Sequence, residues 1–376
     1  MGLYVHIPFC RAICTYCAFA KGEFDPAAAD AWLEALAAEI THRERATWDP
    51  RPRLDTVFLG GGTPTALGPE RILRLGDLLR RSFRLAQDCE FTSEANPESF
   101  TPETARALRE AGANRISLGA QSFDSRELAM LGRIHDAEAP GRAVGLARDS
   151  GFTSVSLDLM FALPGQTPES FARNLTQALD LLPDHLSAYC LGLEPGTGLT
   201  LSVREGAIPA PEDGAAREMY EHLVEATADR GLELYEISNF ARPGHACRHN
   251  LRYWRRQDVL ALGPSSHALA AGRRWVNPAP LNLWAGAYGP RGKAPEPREV
   301  PGKDARFEYV FLNLRLAGGL DLGEYQTLWN EPFEGRYGQV LRRLVRGGMI
   351  LREGDRIRLA PGARFLSDGV FSEFAS

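Results

Sequence analysis

The 376-residue sequence has no apolar stretch approaching the roughly 18 residues of a membrane-spanning helix, so a membrane role would be a peripheral visit. Lys/Arg blocks and basic stripes are missing too. With a net charge of −5, nucleic acid is not an expected partner. No repeat at a fixed short period and no long low-complexity tract interrupts the chain, which sets aside solenoids and disordered arrays. The opening residues read as a strand and not as a secretory leader, so the expectation is a cytoplasmic protein with reduced thiols. Cysteine is scarce. Of six, Cys89, Cys190 and Cys247 are scattered and read as buried or incidental.

The other three are concentrated near the N-terminus. Cys10, Cys14 and Cys17 form C-x3-C-x2-C, and no fourth cysteine follows within reach. Three thiolates can hold three irons of a [4Fe–4S] cluster and leave the fourth open to a small molecule. S-adenosylmethionine suits that iron, because its amine and carboxylate can chelate it. A structural zinc site would need a fourth Cys or His in paired spacing, and His6 is the sole neighbour, wrongly spaced.

At this length a large core plus a smaller appendage is expected. Up to about residue 205, short apolar runs alternate with amphipathic ones. Leu3–Ile7, Thr56–Leu59, Glu90–Ser93, Arg115–Leu118, Ser154–Leu159 and His185–Tyr189 read as strands. Ala27–Arg45, Pro69–Phe83, Thr101–Glu110, Ala137–Asp149 and Pro168–Leu182 read as helices. Thr101-Pro102 and Thr167-Pro168 are helix-start signals. Six βα units are too few for a closed eight-stranded barrel. The pattern predicts an α/β fold, a partial, open (β/α)6 barrel over 1–205 with its site at the C-terminal strand ends.

Polar motifs fall at those ends. Gly60-Gly61-Gly62-Thr63 follows the second strand, and its glycines let backbone approach a ligand closely. Glu94 follows the third strand, Gln121 and then Arg133 come after the fourth, and Asp158 closes the fifth. Each alone reads as a cap or an ion pair. In series with the cysteines they converge on one pocket.

These motifs resemble the HemN/HemW branch of the radical-SAM superfamily, over nearly the whole chain. The resemblance implies a cluster on Cys10, Cys14 and Cys17, and adenosylmethionine beside Tyr4 and Tyr16. Its methionine end would lie on Gly61, Gly62 and Thr63, with Glu94, Gln121, Arg133 and Asp158 completing the pocket. Carboxylates suit ribose hydroxyls and a sulfonium, and a guanidinium suits a carboxylate. The coproporphyrinogen dehydrogenases of the branch carry a further cysteine two residues past the third ligand and an N-terminal extension. Here Phe19 takes that place and Tyr4 already lies in the first strand. Both features resemble the HemW-like haem chaperones, as do His249-Asn250-Leu251-Arg252-Tyr253-Trp254 (H-N-x-x-Y-W) and Gly263-Pro264-Ser265-Ser266-His267-Ala268. Ala18 stands where those proteins often have Asp.

The resemblance implies haem as cargo and haem-dependent respiratory proteins as acceptors. An electron donor such as a flavodoxin or ferredoxin is implied if adenosylmethionine is cleaved, and a homodimer is compatible. His249 is a candidate haem ligand, although a histidine beside aromatics more often serves as a hydrogen-bonded core residue. Cys247 is a second candidate, and Tyr253 and Trp254 could wall a porphyrin face. A coproporphyrinogen dehydrogenase and a radical methyltransferase of the same branch remain alternatives.

Residues 206–300 read as a family-specific extension carrying the H-N-x-x-Y-W motif. Pro211–Arg230 forms a helix, and residues 278–301, with six prolines, form a connector. Residues 301–376 predict a winged-helix-like α+β domain. Its helix Gln339–Arg346 ends at Gly347-Gly348, and Met349–Arg352 with Arg356–Leu359 form the wing. Arg342, Arg343 and Arg346 read as a solvated helix end favouring the dipole, not as a DNA-binding face, and the domain as a cover or docking surface.

Overall fold

A computed structural model describes residues 1–46, 48, 51–210 and 212–375. The expected parallel strands are present: β1 (Gly2–Ile7), β2 (Arg53–Gly61), β3 (Arg84–Ala95), β4 (Arg115–Gln121), β5 (Ser154–Phe161) and β6 (His185–Cys190). Helices Pro26–Ala46, Pro69–Ser82, Pro102–Ala111, Ala139–Asp149 and Pro168–Asp180 lie between them. The proline-first signals mark true starts. Thr101 and Thr167 accept the N–H of Thr104 and Ser170, whose hydroxyls bond back to complete two capping boxes. Along β1, Leu3, Val5 and Ile7 are wholly buried in the main core, while Tyr4 and His6 turn inward and bond each other. The strand period of two thus separates an apolar outer layer from a polar interior.

The sheet runs past both ends of these six strands. β7 (Glu233–Glu236) and β8 (Asn239–Ala241) add antiparallel strands beside β6. On the other side β9 (Val259–Leu262) pairs parallel with β1, and β10 (His267–Ala270), β11 (Arg273–Val276) and β12 (Arg298–Glu299) follow antiparallel. Among the described residues the order is β12-β11-β10-β9-β1-β2-β3-β4-β5-β6-β8-β7. The helix read from Pro211 is present as Asp213–Asp229, and Pro211 itself lies outside the described residues.

The proline-rich stretch holds helix Leu281–Ala287, whose Trp284 is fully buried. Trp284 Nε1 donates to Glu39 at 2.9 Å, alongside Gly263 N–H at 2.8 Å and Asn277 Nδ2 at 2.5 Å. Burial pushes the Glu39 carboxyl up to about 6 despite those donors. This latch fixes the Gly263–Ala268 stretch to the first helix. Gly263, at φ +92, passes so close to β1 that a Cβ would lie 2.4 Å from the His6 carbonyl.

The C-terminal region packs helices Gly302–Leu314, Leu322–Trp329 and Phe333–Arg346 around a separate core that includes Tyr325, Phe333, Tyr337 and Ile357. Ile350–Glu353 and Arg356–Leu359 form the expected wing, with Gly354 at φ +62 in its turn. Among the described residues no helix is long and apolar enough to cross a membrane.

Candidate functional site

The cysteine loop is held by backbone at several points. Phe9–Cys10 pairs with Gly22–Glu23, so Gly22 N–H reaches Pro8 O and Phe24 N–H reaches Cys10 O, each at 2.8 Å. Thr15 bonds Leu131 O through its N–H at 3.1 Å and Met130 O through its hydroxyl at 2.8 Å. Lys21 Nζ closes the loop on Cys17 O at 2.6 Å. Cys10 is 7% exposed and Cys14 and Cys17 are half-buried; none is in a disulfide. His6 is not aimed at the thiols: its Nε2 meets Ala20 O at 2.7 Å and its Nδ1 the Tyr4 hydroxyl at 3.1 Å.

The glycine turn lies directly against that loop. Gly62 N–H bonds Ile7 O and Thr63 N–H bonds Phe9 O, both at 2.7 Å. A Cβ on Gly62 would sit 2.6 Å from Phe9 O and 2.7 Å from Ile7 O, so only glycine permits the approach. A register shift in β4 after Gly119 leaves Gln121 at φ +64, in the left-handed region. Such local irregularity at a strand end re-aims a side chain.

These elements enclose a cavity of about 620 Å³ at the C-terminal strand ends. Cys10, Cys14 and Cys17 line it, as do Tyr16, Gly61, Gly62, Thr63, Glu94, Gln121, Arg133 and Asp158. Tyr4 does not reach the lining. It stacks on Phe58 one layer deeper in the barrel. Sequence reading missed Asn96, Ser117, Met160, Tyr189 and Glu194, which share the cavity wall. Asn96 stood two residues from Glu94 within the Thr92–Pro97 stretch, where an Asn before Pro reads as a turn.

Of the two cavity carboxylates, Glu94 is the one short of donors. Among the described residues Glu94 receives one hydrogen bond, from Gly61 N–H at 3.2 Å. Burial, then Asp158, pushes its carboxyl up to about 8. Burial also raises Asp158, against hydrogen bonds from Ser187 and Ser117, the latter at 3.0 Å. Arg133 supplies the cation. Its guanidinium donates to Cys14 Sγ at 3.6 Å, Asn96 Oδ1 at 2.8 Å and Gly119 O at 2.7 Å, and among the described residues it pairs with no carboxylate.

His249 is placed elsewhere. Helix Arg248–Trp254 plugs the opposite, N-terminal end of the strands, where Arg252 pairs with Asp55 at 2.7 Å. His249 is 1% exposed and stacks on Phe58. Its Nδ1 meets the Thr56 hydroxyl at 2.9 Å and its Nε2 the Tyr253 hydroxyl at 3.3 Å. Burial lowers its pKa to about 3. Cys247, also buried, points at Glu90 Oε1 at 3.5 Å, and burial raises its thiol to about 12. The structure therefore does not bring His249 together with the cavity residues.

Residues 4–178 match the Radical SAM superfamily and residues 300–366 the HemN C-terminal domain. The chain is 34% identical over 373 residues to the Bacillus subtilis protein named heme chaperone HemW, spanning 99% of this chain and 98% of that one. The chain belongs to the HemW family. A Mycobacterium tuberculosis protein of the same name is 38% identical over 376 residues, spanning 98% of this chain and 93% of its own. The solved HemN of Escherichia coli, described as a coproporphyrinogen III oxidase and radical SAM enzyme, is 26% identical. It superposes with a TM-score of 0.87 over 100% of this chain and 90% of that one.

The radical-SAM family implies a [4Fe–4S] cluster and adenosylmethionine, and the residues fit both. Three free thiols share one wall of the cavity, two of them within reach of hydrogen-bond donors. Across the cavity stand Glu94, with one donor among the described residues, and Asp158, held by Ser117 and Ser187, both suited to hydroxyls and a cationic sulfonium. Among the described residues no three His, Cys, Asp or Glu side chains converge as one bound metal ion would require.

Proposed function

We propose that this chain is a cytoplasmic haem chaperone that holds a [4Fe–4S] cluster and adenosylmethionine and delivers haem to haem-dependent respiratory proteins. The observation that carries the reading is end-to-end similarity to proteins named heme chaperone HemW, reinforced by Phe19 in place of the extra cysteine. When bound, the cluster supplies one-electron chemistry at the sulfonium of adenosylmethionine.

The chain's own residues have separable tasks in this reading. Cys10, Cys14 and Cys17 hold the cluster, with Thr63 and Arg133 donating to two of the sulfurs. Glu94 and Asp158 accept from ribose hydroxyls and set the field at the sulfonium. Tyr16 and the backbone of Gly61 and Gly62 shape the pocket, and Phe19, 70% exposed, presents an apolar face at its mouth. Tyr4 acts through His6, which it bonds. His249 could ligate haem only by giving up either the Thr56 hydroxyl at Nδ1 or the Tyr253 hydroxyl at Nε2, and its burial would couple such ligation to movement of helix Arg248–Trp254.

Haem titration of the anaerobically reconstituted protein tests the reading. Saturable binding near one haem per chain without turnover of coproporphyrinogen is expected; absence of saturable binding would contradict it. The end-to-end superposition on HemN favours a second reading, oxidative decarboxylation of coproporphyrinogen, and turnover in the same preparation would establish it.

A further inference from the structure

Asn96 stands between two of the three thiols. Arg133 Nη2 donates to Asn96 Oδ1 at 2.8 Å, Asn96 Nδ2 meets Thr63 Oγ1 at 3.1 Å, and Thr63 Oγ1 meets Cys10 Sγ at 3.5 Å. The other guanidinium arm, Nη1, meets Cys14 Sγ at 3.6 Å. Chemistry fixes the direction of every bond. A guanidinium has no acceptor, so the amide oxygen must face Arg133 and the amide NH₂ must face Thr63. That NH₂ can only donate, so the Thr63 oxygen accepts and its proton is left for Cys10. One cation thus directs a donor to Cys14 directly and to Cys10 through an amide and a hydroxyl.

The surroundings keep this chain in register. Thr63 is 2% exposed, and its own N–H is fixed on Phe9 O. A Cβ on Gly119 would lie 2.9 Å from Asn96 Oδ1 and 3.0 Å from Gln121 Nε2, so the glycine leaves room for the amide. Successive hydrogen bonds of one polarity strengthen one another, and donors aimed at cluster sulfurs favour the more negative, reduced state.

We propose that Asn96 is a positioning residue that couples Cys10 to Cys14 through Thr63 and Arg133, and that this relay raises the reduction potential of the bound cluster. The proposal rests on the three cysteines being the cluster ligands. Asn96→Asp is nearly isosteric but cannot donate to Thr63. The Thr63 hydroxyl then turns to the new carboxylate, and Cys10 loses its donor. Thr63→Val removes the same donor without adding charge, and Thr63→Ser restores it.

The test is an EPR-monitored potential titration of the reconstituted full-length protein without adenosylmethionine. Midpoints more negative than wild type are expected for Thr63→Val and, further, for Asn96→Asp, with Thr63→Ser close to wild type. A Thr63→Val protein that fails to keep its cluster while Thr63→Ser keeps it also supports the relay, since the two differ at the hydroxyl. Loaded variants with the wild-type midpoint would overturn the proposal. A wild-type chain that takes up no cluster would instead overturn the ligand assignment.

Discussion

The two ends of the barrel are both polar and both deep, yet they are built in opposite ways. At the C-terminal strand ends, Glu94 has a single donor, Arg133 has no carboxylate partner among the described residues, and three thiols line an open cavity. At the N-terminal ends, His249 has a partner on each ring nitrogen, Glu90 accepts from the N–H groups of Arg248 and His249, and Arg252 is paired with Asp55. Buried polar groups left short of partners are costly unless something arrives to satisfy them. At the upper end an open cavity lets a ligand supply those partners; the lower end is closed by helix Arg248–Trp254, although Arg115 Nε and Trp254 Nε1 are buried there without a hydrogen-bond partner among the described residues.

Breaking the receiving end gives the largest effect. Cys10→Ala, Cys14→Ala or Cys17→Ala should each abolish stable cluster uptake while leaving the fold intact, as read by iron and sulfide content beside circular dichroism. Near-normal iron in any one variant would remove that cysteine from the ligand set.

Cutting the latch comes next. Glu39→Ala leaves the Trp284 Nε1–H and Gly263 N–H donors buried without their acceptor, while Asn277 keeps Gly263 O and Ser266 Oγ, and a loss of roughly 3 kcal/mol in denaturant unfolding is expected. A loss near zero would mean that this carboxylate does not hold the β9–β12 flank.

At the shut end, His249→Ala should cost about 2 kcal/mol of stability and leave adenosylmethionine binding unchanged. The histidine also makes that end acid-sensitive. Its folded pKa, about 3, lies below the ordinary 6.5. Its contribution is therefore complete above the ordinary value and is lost as pH falls toward the folded one. His249→Phe should flatten that part of the pH–stability curve. An unaltered curve would assign the sensitivity to another group, of which buried His185, also depressed by burial, is the obvious one.

The smallest effect sharpens the electrostatics of the cavity. Glu94 is held neutral below about 8, and a sulfonium favours its ionised form. Binding of adenosylmethionine near neutral pH should therefore release a proton, and affinity should rise toward pH 8 by less than tenfold per unit before levelling. Glu94→Gln should bind more weakly and without that slope. A slope that persists in the variant would assign the titration to Asp158 or to the amine of adenosylmethionine, which must lose its proton to chelate iron.

Local rules explain what could be read in advance. β1 to β6 and their helices follow period and capping, and Thr101 and Thr167 stand where their proline-first signals put them. The added edge strands are mostly two to four residues long and carry no such period. The Trp284–Glu39 contact joins residues 245 apart, which no local pattern encodes. Within the site, the cysteines were legible by spacing and Glu94 by its place at a strand end, whereas Asp158 lies inside β5, three residues before its end. Arg133 became specific through family likeness, and Asn96 gains its meaning from three partners scattered along the chain. His249 shows the converse: a motif visible in sequence whose side chain the fold turns away from the cavity.

Haem handover is the most direct test of the account. Haem-loaded protein, mixed anaerobically with an apo b-type acceptor and separated from it, should yield haem in the acceptor faster than free haem is lost from the carrier, with no coproporphyrinogen consumed in a parallel reaction. Haem that stays on the carrier, or that reaches the acceptor no faster than free haem is lost, would contradict a chaperone role.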